Sequence, residues 1–135
     1  MTRIAASVRL FRAIVPVSDL KVAVSFYAAL LEAPGKGVSP GRHYFDCEGV
    51  TLCVYDAIAD GDASSIGPNP TPLYFETDDV EVVHARANGT GQCRKLGPVE
   101  TRPWGERSFY ASDPFGNVLC FVDRSTRFSG QFYVE

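Results

Sequence analysis

Side chains able to act as nucleophile, metal ligand or proton carrier are few and scattered. Cys47, Cys53, Cys93 and Cys120 follow one another at spacings of 6, 40 and 27 residues, which match no C-x-x-C redox pair and no zinc pattern. Cys53 and Cys120 sit inside apolar runs, where a free thiol behaves as a small hydrophobe. Buried, unpaired thiols of this kind suit a reducing cytoplasm. His43 and His84 stand 41 residues apart. His84 is expected on the solvent side of a helix. His43 opens an aromatic run, Arg42-His43-Tyr44-Phe45-Asp46, and as a general base it would need a partner that the sequence does not place. No Ser-His-Asp or Cys-His constellation appears in a recognisable setting, and no glycine-rich phosphate loop.

The chain has 135 residues, of which 45% are hydrophobic and 21% charged; that is the make-up of one globular domain. A chain of this size buries about two-thirds of its unfolded surface, enough for a core without disulfides. Sixteen acidic against 13 basic residues give a net charge of −3, which argues against nucleic acid as a partner. No apolar run approaches the roughly 18–20 residues that cross a bilayer. The opening MTRIAASVRLFRAIV lacks the long apolar stretch of a signal peptide, so a cytoplasmic location is expected.

The elements that must position any site read as one pattern written twice. RLFRAIVPV (9–17) alternates loosely and ends in proline, as a strand end does. Ser18-Asp19 supplies a helix N-cap, and Leu20, Val24, Tyr27 and Leu31 then recur with a helical period, widened by Ala23 and Leu30. Pro34-Gly35 stops that helix. RHYFDC and VTLCVY are strand-like runs joined by Glu48-Gly49, a tight hairpin turn. Residues 56–71 are rich in Gly, Pro, Ser and Asp and form the only long loop. A second strand follows from Leu73 to Thr77, with Asp78-Asp79 as cap, and a helix VEVVHARANG places Val80, Val83 and Ala87 on one face and ends at Asn88-Gly89. After an irregular stretch (92–103), ERSFYAS and NVLCFVD flank Asp113-Pro114-Phe115-Gly116, a type I turn signature. An offset of 60 lays Asp19 on Asp79 and brings Gly49 near Gly116. A hairpin with one covering helix cannot close a core alone, so two such units should pair.

Three segments carry a family resemblance: VPVSDLKVAVSFYAALL, LYFETDDVEVVHARANG and PWGERSFYASDPFGNVLCFVD. The last is the most specific, with Pro-Trp-Gly, a strand, Asp-Pro-x-Gly-Asn and a closing apolar strand. Across about residues 9–124 the chain resembles the vicinal oxygen chelate superfamily, the glyoxalase, bleomycin-resistance and extradiol dioxygenase group, and within it a short bleomycin-resistance-like member. The resemblance implies an α+β fold. Two βαβββ modules (about 8–56 and 71–124, with a tail at 125–135) would form a curled mixed sheet around a cleft within one domain, 1–135. It also implies a homodimer, sometimes with strands exchanged.

Metal-dependent members of that group place His, Gln or Glu ligands on four strands. Carried over by local motif, those positions are Arg12, Leu52, Pro72 and Cys120. Arginine has no lone pair to give, leucine and proline have no donor atom, and one thiolate is not a site. Only Glu76 nearby has the right chemistry, so no metal and no cofactor is expected. Alternation along strands then turns Arg12, Ile14, Val50, Leu52, Val54, Tyr74, Glu76, Val118 and Cys120 toward the cleft, and Phe11, Ala13, Val15, Leu73, Phe75, Leu119 and Phe121 toward the helices.

An apolar concavity with a few polar groups is the general form of a small-molecule site. Arg12 either forks onto a ligand carboxylate or phosphate, pairs with Glu76, or reaches solvent at the rim. Trp104 and Tyr74 either stack on a planar ligand or serve packing, Trp104 at a barrel end or subunit seam. Phe132, Tyr133 and Val134 in the tail either dock on a partner subunit or fray. The expected function is metal-free binding of a small aromatic or anionic molecule in a dimer cleft, with no membrane partner. The alternatives are a metal-dependent lyase or dioxygenase with relocated ligands, a cofactor-free isomerase with Glu76 or His43 as base, and a purely structural or degenerate copy.

Overall fold

A computed structural model describes residues 6–62 and 64–128; Phe132, Tyr133 and Val134 lie outside the described residues. The first unit holds strand β1 (Arg12–Pro16), helix α1 (Leu20–Leu31), and strands β2 (Lys36–Ser39), β3 (Arg42–Cys47) and β4 (Val50–Tyr55). The second holds β5 (Leu73–Thr77), α2 (Val80–Thr90), β6 (Lys95–Leu96), β7 (Glu100–Thr101), β8 (Arg107–Ser112) and β9 (Val118–Asp123), followed by a short 3₁₀ turn, Arg124–Thr126. Among the described residues no helix is long and apolar enough to cross a membrane.

Both helices begin where an aspartate accepts from one of the first-turn backbone amides that have no partner within the helix. Asp19 accepts from Val22 N at 3.2 Å and Asp79 from Val82 N at 3.1 Å. The buried stripe of α1 is Ala23, Phe26, Tyr27 and Leu30, with Leu20 and Leu31 only half-buried, so the apolar face is turned one column from the sequence expectation. Helix α2 does not stop at Asn88-Gly89. It continues to Thr90 and ends on Gly91, whose φ of 64° only glycine adopts without strain.

Each unit carries its own mixed sheet, and neither sheet closes on itself. The orders are β1-β4-β3-β2 and β5-β9-β8-β6, with β7 also paired to β8. In both, the first strand lies parallel to the last (β1 with β4, β5 with β9), and the rest pair antiparallel. A parallel pair requires a crossover, which the helix supplies. The α+β fold is therefore present, as βαβββ in the first unit and, with one strand position divided between the two-residue strands β6 and β7, in the second. The β3–β4 turn has positive φ at both Glu48 (52°) and Gly49 (101°), the I′ geometry that suits a two-residue hairpin.

The helices cover one face of each sheet and pack on each other. One buried cluster joins the two units: Val15, Phe45, Leu52 and Val54 from the first sheet, Phe109, Ala111, Leu119 and Phe121 from the second, and the helix stripes between. A polar hub locks that cluster. Asp113, fully buried, accepts from Tyr27 Oη at 2.7 Å, from Asn117 Nδ2 at 2.9 Å, and from the amides of Phe115 and Asn117 at 2.8 Å each. Asn117 Nδ2 also donates to Pro16 O (2.8 Å), and Asn69 bridges the amide oxygen of Asn117 and Ile14 O.

Burial, and next the adjacent Asp113 charge, push the Tyr27 phenol well above its ordinary value of 10.0. The folded state thus holds this proton more tightly than the unfolded chain. Its contribution is intact below pH 10 and is lost as pH rises beyond that. In urea unfolding from pH 7 to 11, Tyr27→Phe should lose about 1–3 kcal/mol at neutral pH and show a shallower alkaline decline than the unsubstituted chain. An identical decline would exclude this hub as its source.

Candidate ligand site

Strand pairing decides which side chains share a face. In the first sheet Arg12 pairs with Thr51 and Ile14 with Cys53, while Ala13 pairs with Leu52 and Val15 with Val54. Leu52, expected in the cleft with Val50 and Val54, therefore faces the helices, and it is 2% exposed within the core. The reason is register: a shift of one residue turns a strand's whole set to the other side. The face of this sheet away from the helices carries Arg12, Ile14, Thr51, Cys53 and Tyr55, continued on β3 by Arg42, Tyr44 and Asp46. Phe11, expected under the helices, precedes β1 and is 55% exposed.

In the second sheet the expected parity matches the pairing. Tyr74 pairs with Cys120 and Glu76 with Val122, and β8 continues the rows with Tyr110 and Ser108; Val118 pairs with Ser112 on the same face. Leu73, Phe75, Leu119 and Phe121 lie on the opposite, helix-covered face.

The open faces share a plan. A cysteine sits at the centre of each, shielded by arginine and tyrosine. Cys53 and Cys120 are each 1% exposed. Burial raises both thiols, opposed at Cys53 by the charges of Arg42 and Arg12, and at Cys120 by hydrogen bonds with Ser108 and Tyr110. They are protonated thiols at neutral pH, poor nucleophiles. Over Cys53, Arg12 reaches across β4 to lie 4.8 Å from the Tyr44 ring, and Arg42 lies 4.6 Å from the Tyr55 ring. Arg42 also pairs with Asp60, and Tyr55 bonds Asp62, so the loop after β4 is latched to this face.

Near Cys120, Arg102 lies 5.0 Å from the Tyr110 ring and donates to Ser108 Oγ (2.9 Å), Ser108 O (3.0 Å) and Glu100 (2.9 Å). Tyr74, 63% exposed, meets Tyr110 edge to face at 6.4 Å. A hydrogen bond with Tyr74, and then burial, raise the Tyr110 phenol above its ordinary range. Trp104, 55% exposed, donates to Glu106 at 2.8 Å within the turn between β7 and β8.

Glu76 is not paired with Arg12. Arg127 holds it at 2.5 Å and Arg124 at 3.3 Å, which suits a structural ion pair better than a base. His43 bonds Pro34 O at 2.9 Å. His84 is half-buried rather than on the solvent side, bonded to Gly97 O at 2.9 Å with its ring edge-on to Phe109. Sequence reasoning missed Tyr44, Arg42, Tyr110, Ser108 and Arg102. The first four were within reach of the period-two pattern in RHYFDC and RSFYAS, since each strand must turn alternate residues to the open side.

The four positions carried over for a metal do not converge. Leu52 is on the wrong face, and the neighbour of Cys120 on β5 is Tyr74 rather than Pro72. Among the described residues no three His, Cys, Asp or Glu side chains lie close enough together to hold an ion. The donor set does not fit the divalent metal of metal-dependent relatives.

A separate groove of about 680 Å³ lies between the outer strands β1 and β5. Its walls include Leu30, Leu31, Ala13, Leu73 and Phe75, and Asp46, Glu48 and Glu76 also line it. Tyr74 also lines it, but its other apolar walls are core-side residues and strand edges, whose unpaired backbone suits another chain more than a small molecule.

The model of the Glyoxalase/Bleomycin resistance protein/Dioxygenase superfamily matches residues 9–121. The chain belongs to that superfamily. Solved superfamily structures share its fold. A glyoxalase-related enzyme from Fulvimarina pelagi is 19% identical, with 84% of this chain and 86% of that one covered and a TM-score of 0.69. A glyoxalase/bleomycin resistance protein from Albidiferax ferrireducens T118 is 24% identical, with coverage of 84% and 96% and a TM-score of 0.66. Lactoylglutathione lyase from Agrobacterium tumefaciens is 20% identical, with coverage of 84% and 92% and a TM-score of 0.64. No curated protein matches.

The assignment of faces has a direct test. Leu52→Asn, which buries an amide against the helices, should cost about 2–4 kcal/mol in urea unfolding, whereas Ile14→Asn on the open face should cost less than about 1 kcal/mol. The reverse order would invert the register.

Proposed function

We propose that this superfamily member is a metal-free binding protein for a small aromatic or anionic molecule, held where two copies of the chain meet. The observation that carries the reading is the contrast between the two sides of the same strands. Val15, Phe45, Leu119 and Phe109 are fully buried on the helix side, yet Ile14 on the other side is 49% exposed and Tyr74 63%. Apolar and aromatic side chains at strand centres, left open beside arginines and a tryptophan, mark a binding surface. The cleft residues in this reading are Arg12, Ile14, Tyr74, Trp104, Val118 and Cys120, joined by Tyr44 and Tyr110.

Pairing with a second copy would also account for two further exposed apolar side chains. Val8 and Leu10, just ahead of β1, are 98% and 72% exposed, and Leu10 borders the groove between the two strand edges. A second copy would cover both the arm and the open faces, and the free thiols suit the cytoplasm.

The second reading is a metal-dependent lyase or dioxygenase, suggested by the lyase and the glyoxalase-related enzyme among the fold neighbours. One set of measurements on purified protein separates them. Light scattering should give a mass about twice 14.7 kDa, elemental analysis less than about 0.1 divalent metal per chain, and chelator treatment no change in stabilisation by aromatic compounds. Stoichiometric zinc, nickel, iron or manganese lost together with ligand stabilisation would favour the enzyme.

A further inference from the structure

The arginines of the open faces differ in what they have left to offer. Arg102 spends its donors on Ser108 and Glu100. Arg42 is paired with Asp60, and Arg124 and Arg127 with Glu76. Arg9 donates to Gly49 O at 3.4 Å. Arg42 and Arg102 also lie against rings, but Arg12 alone of this group is held by rings and nothing else: its guanidinium lies 4.9 Å from the centre of Phe11 and 4.8 Å from that of Tyr44, and among the described residues it has neither an ion-pair partner nor a hydrogen-bond acceptor. Stacking on aromatic faces fixes the plane of a guanidinium while leaving its in-plane N–H groups free. A charge fixed in this way, with its donors unspent, is built for a planar, two-oxygen acceptor.

The surroundings narrow the class of acceptor. Asp46 lies in the same row but accepts from Gly49 N at 3.1 Å, and Lys36 sits on the edge strand beside Tyr44. With Arg42 neutralised by Asp60, and Lys36 and Asp46 offsetting one another on the same face, the local surplus is the one charge of Arg12, so a carboxylate fits better than a phosphate dianion. Ile14, two residues along β1, and the rings of Phe11 and Tyr44 supply an apolar, flat ledge beside it. We infer that Arg12 is the anion-recognising residue of the site and that its ligands are planar aromatic monocarboxylates, the carboxylate forked on Arg12 and the ring lying toward Ile14. This rests on the small-molecule-binding reading given above and adds the chemical class.

Three probes of one shape test it on the full chain by isothermal titration calorimetry at pH 7: 1-naphthoate, 1-naphthamide and 1-naphthyl phosphate. Naphthoate should bind at least about tenfold more tightly than the neutral amide, and more tightly than the phosphate. Arg12→Gln should erase the preference for naphthoate while leaving amide binding within about twofold, with an unchanged thermal melt to show that it folds. Amide binding with no preference for naphthoate would overturn the inference and leave the binding role standing, as would a preference that survives Arg12→Gln. Tighter binding of the phosphate would overturn the monocarboxylate class. Failure of all three probes at millimolar concentration would overturn the binding role and the inference with it.

Discussion

The placement of every candidate site residue depends on one buried carboxylate. Asp113 is sealed from solvent at the β8–β9 turn, where four donors converge on it. Two of those donors are backbone amides of its own turn, which fix the hairpin. The other two belong to Tyr27 on α1 and to Asn117, whose amide in turn grips β1 and the loop leading to β5. A charge buried this deeply is tolerated only when its acceptor sites are filled, so the two units are held in the one arrangement that fills them. That arrangement stacks α1 on α2, commits one face of each sheet to the shared core and leaves the other face to solvent or a partner.

What the open faces hold follows from that commitment. Strand alternation sends the large apolar residues of the core to the helices and leaves a mixture of polar, aromatic and a few apolar residues such as Ile14 and Val118 on the far side. On the far side, arginine stems and tyrosine rings lie flat across the sheets and bury the two central thiols beneath them. In the second unit this layer is saturated by its own hydrogen bonds. In the first it is not, and the asymmetry of the two halves of a repeated fold is where specificity for a ligand would reside. Superfamily membership does not decide between catalysis and binding, since function belongs to the site rather than the fold.

Much of this was legible in local chemistry. Asp19 and Asp79 announce their helices because a cap needs a short acceptor there, and Glu48-Gly49 and Asp113-Pro114-Phe115-Gly116 announce their turns through the backbone conformations they adopt. The parity of β5 and β9 was legible because Tyr74, Glu76, Val118 and Cys120 fall in step with one another. The first unit was misread at Leu52 because the position was carried from a motif rather than from the strand itself. VTLCVY alternates Val, Leu and Val with Thr, Cys and Tyr, and that alternation marks the buried side without any relative to compare. The partners of Arg102 were not legible, since they depend on a two-residue strand pairing beyond any periodic signal, and His84 was misjudged because α2 has a weakly apolar face whose limits only packing reveals.

The central claim is that the open strand faces, rather than the groove between β1 and β5, receive the ligand. Amide chemical-shift mapping of the isotope-labelled full chain during titration with 1-naphthoate tests it most directly. The account predicts that the largest changes fall at Thr51, Cys53 and Tyr44 around Arg12. Changes concentrated instead at Leu30, Leu31, Leu73 and Phe75 would place the ligand in the groove and contradict it.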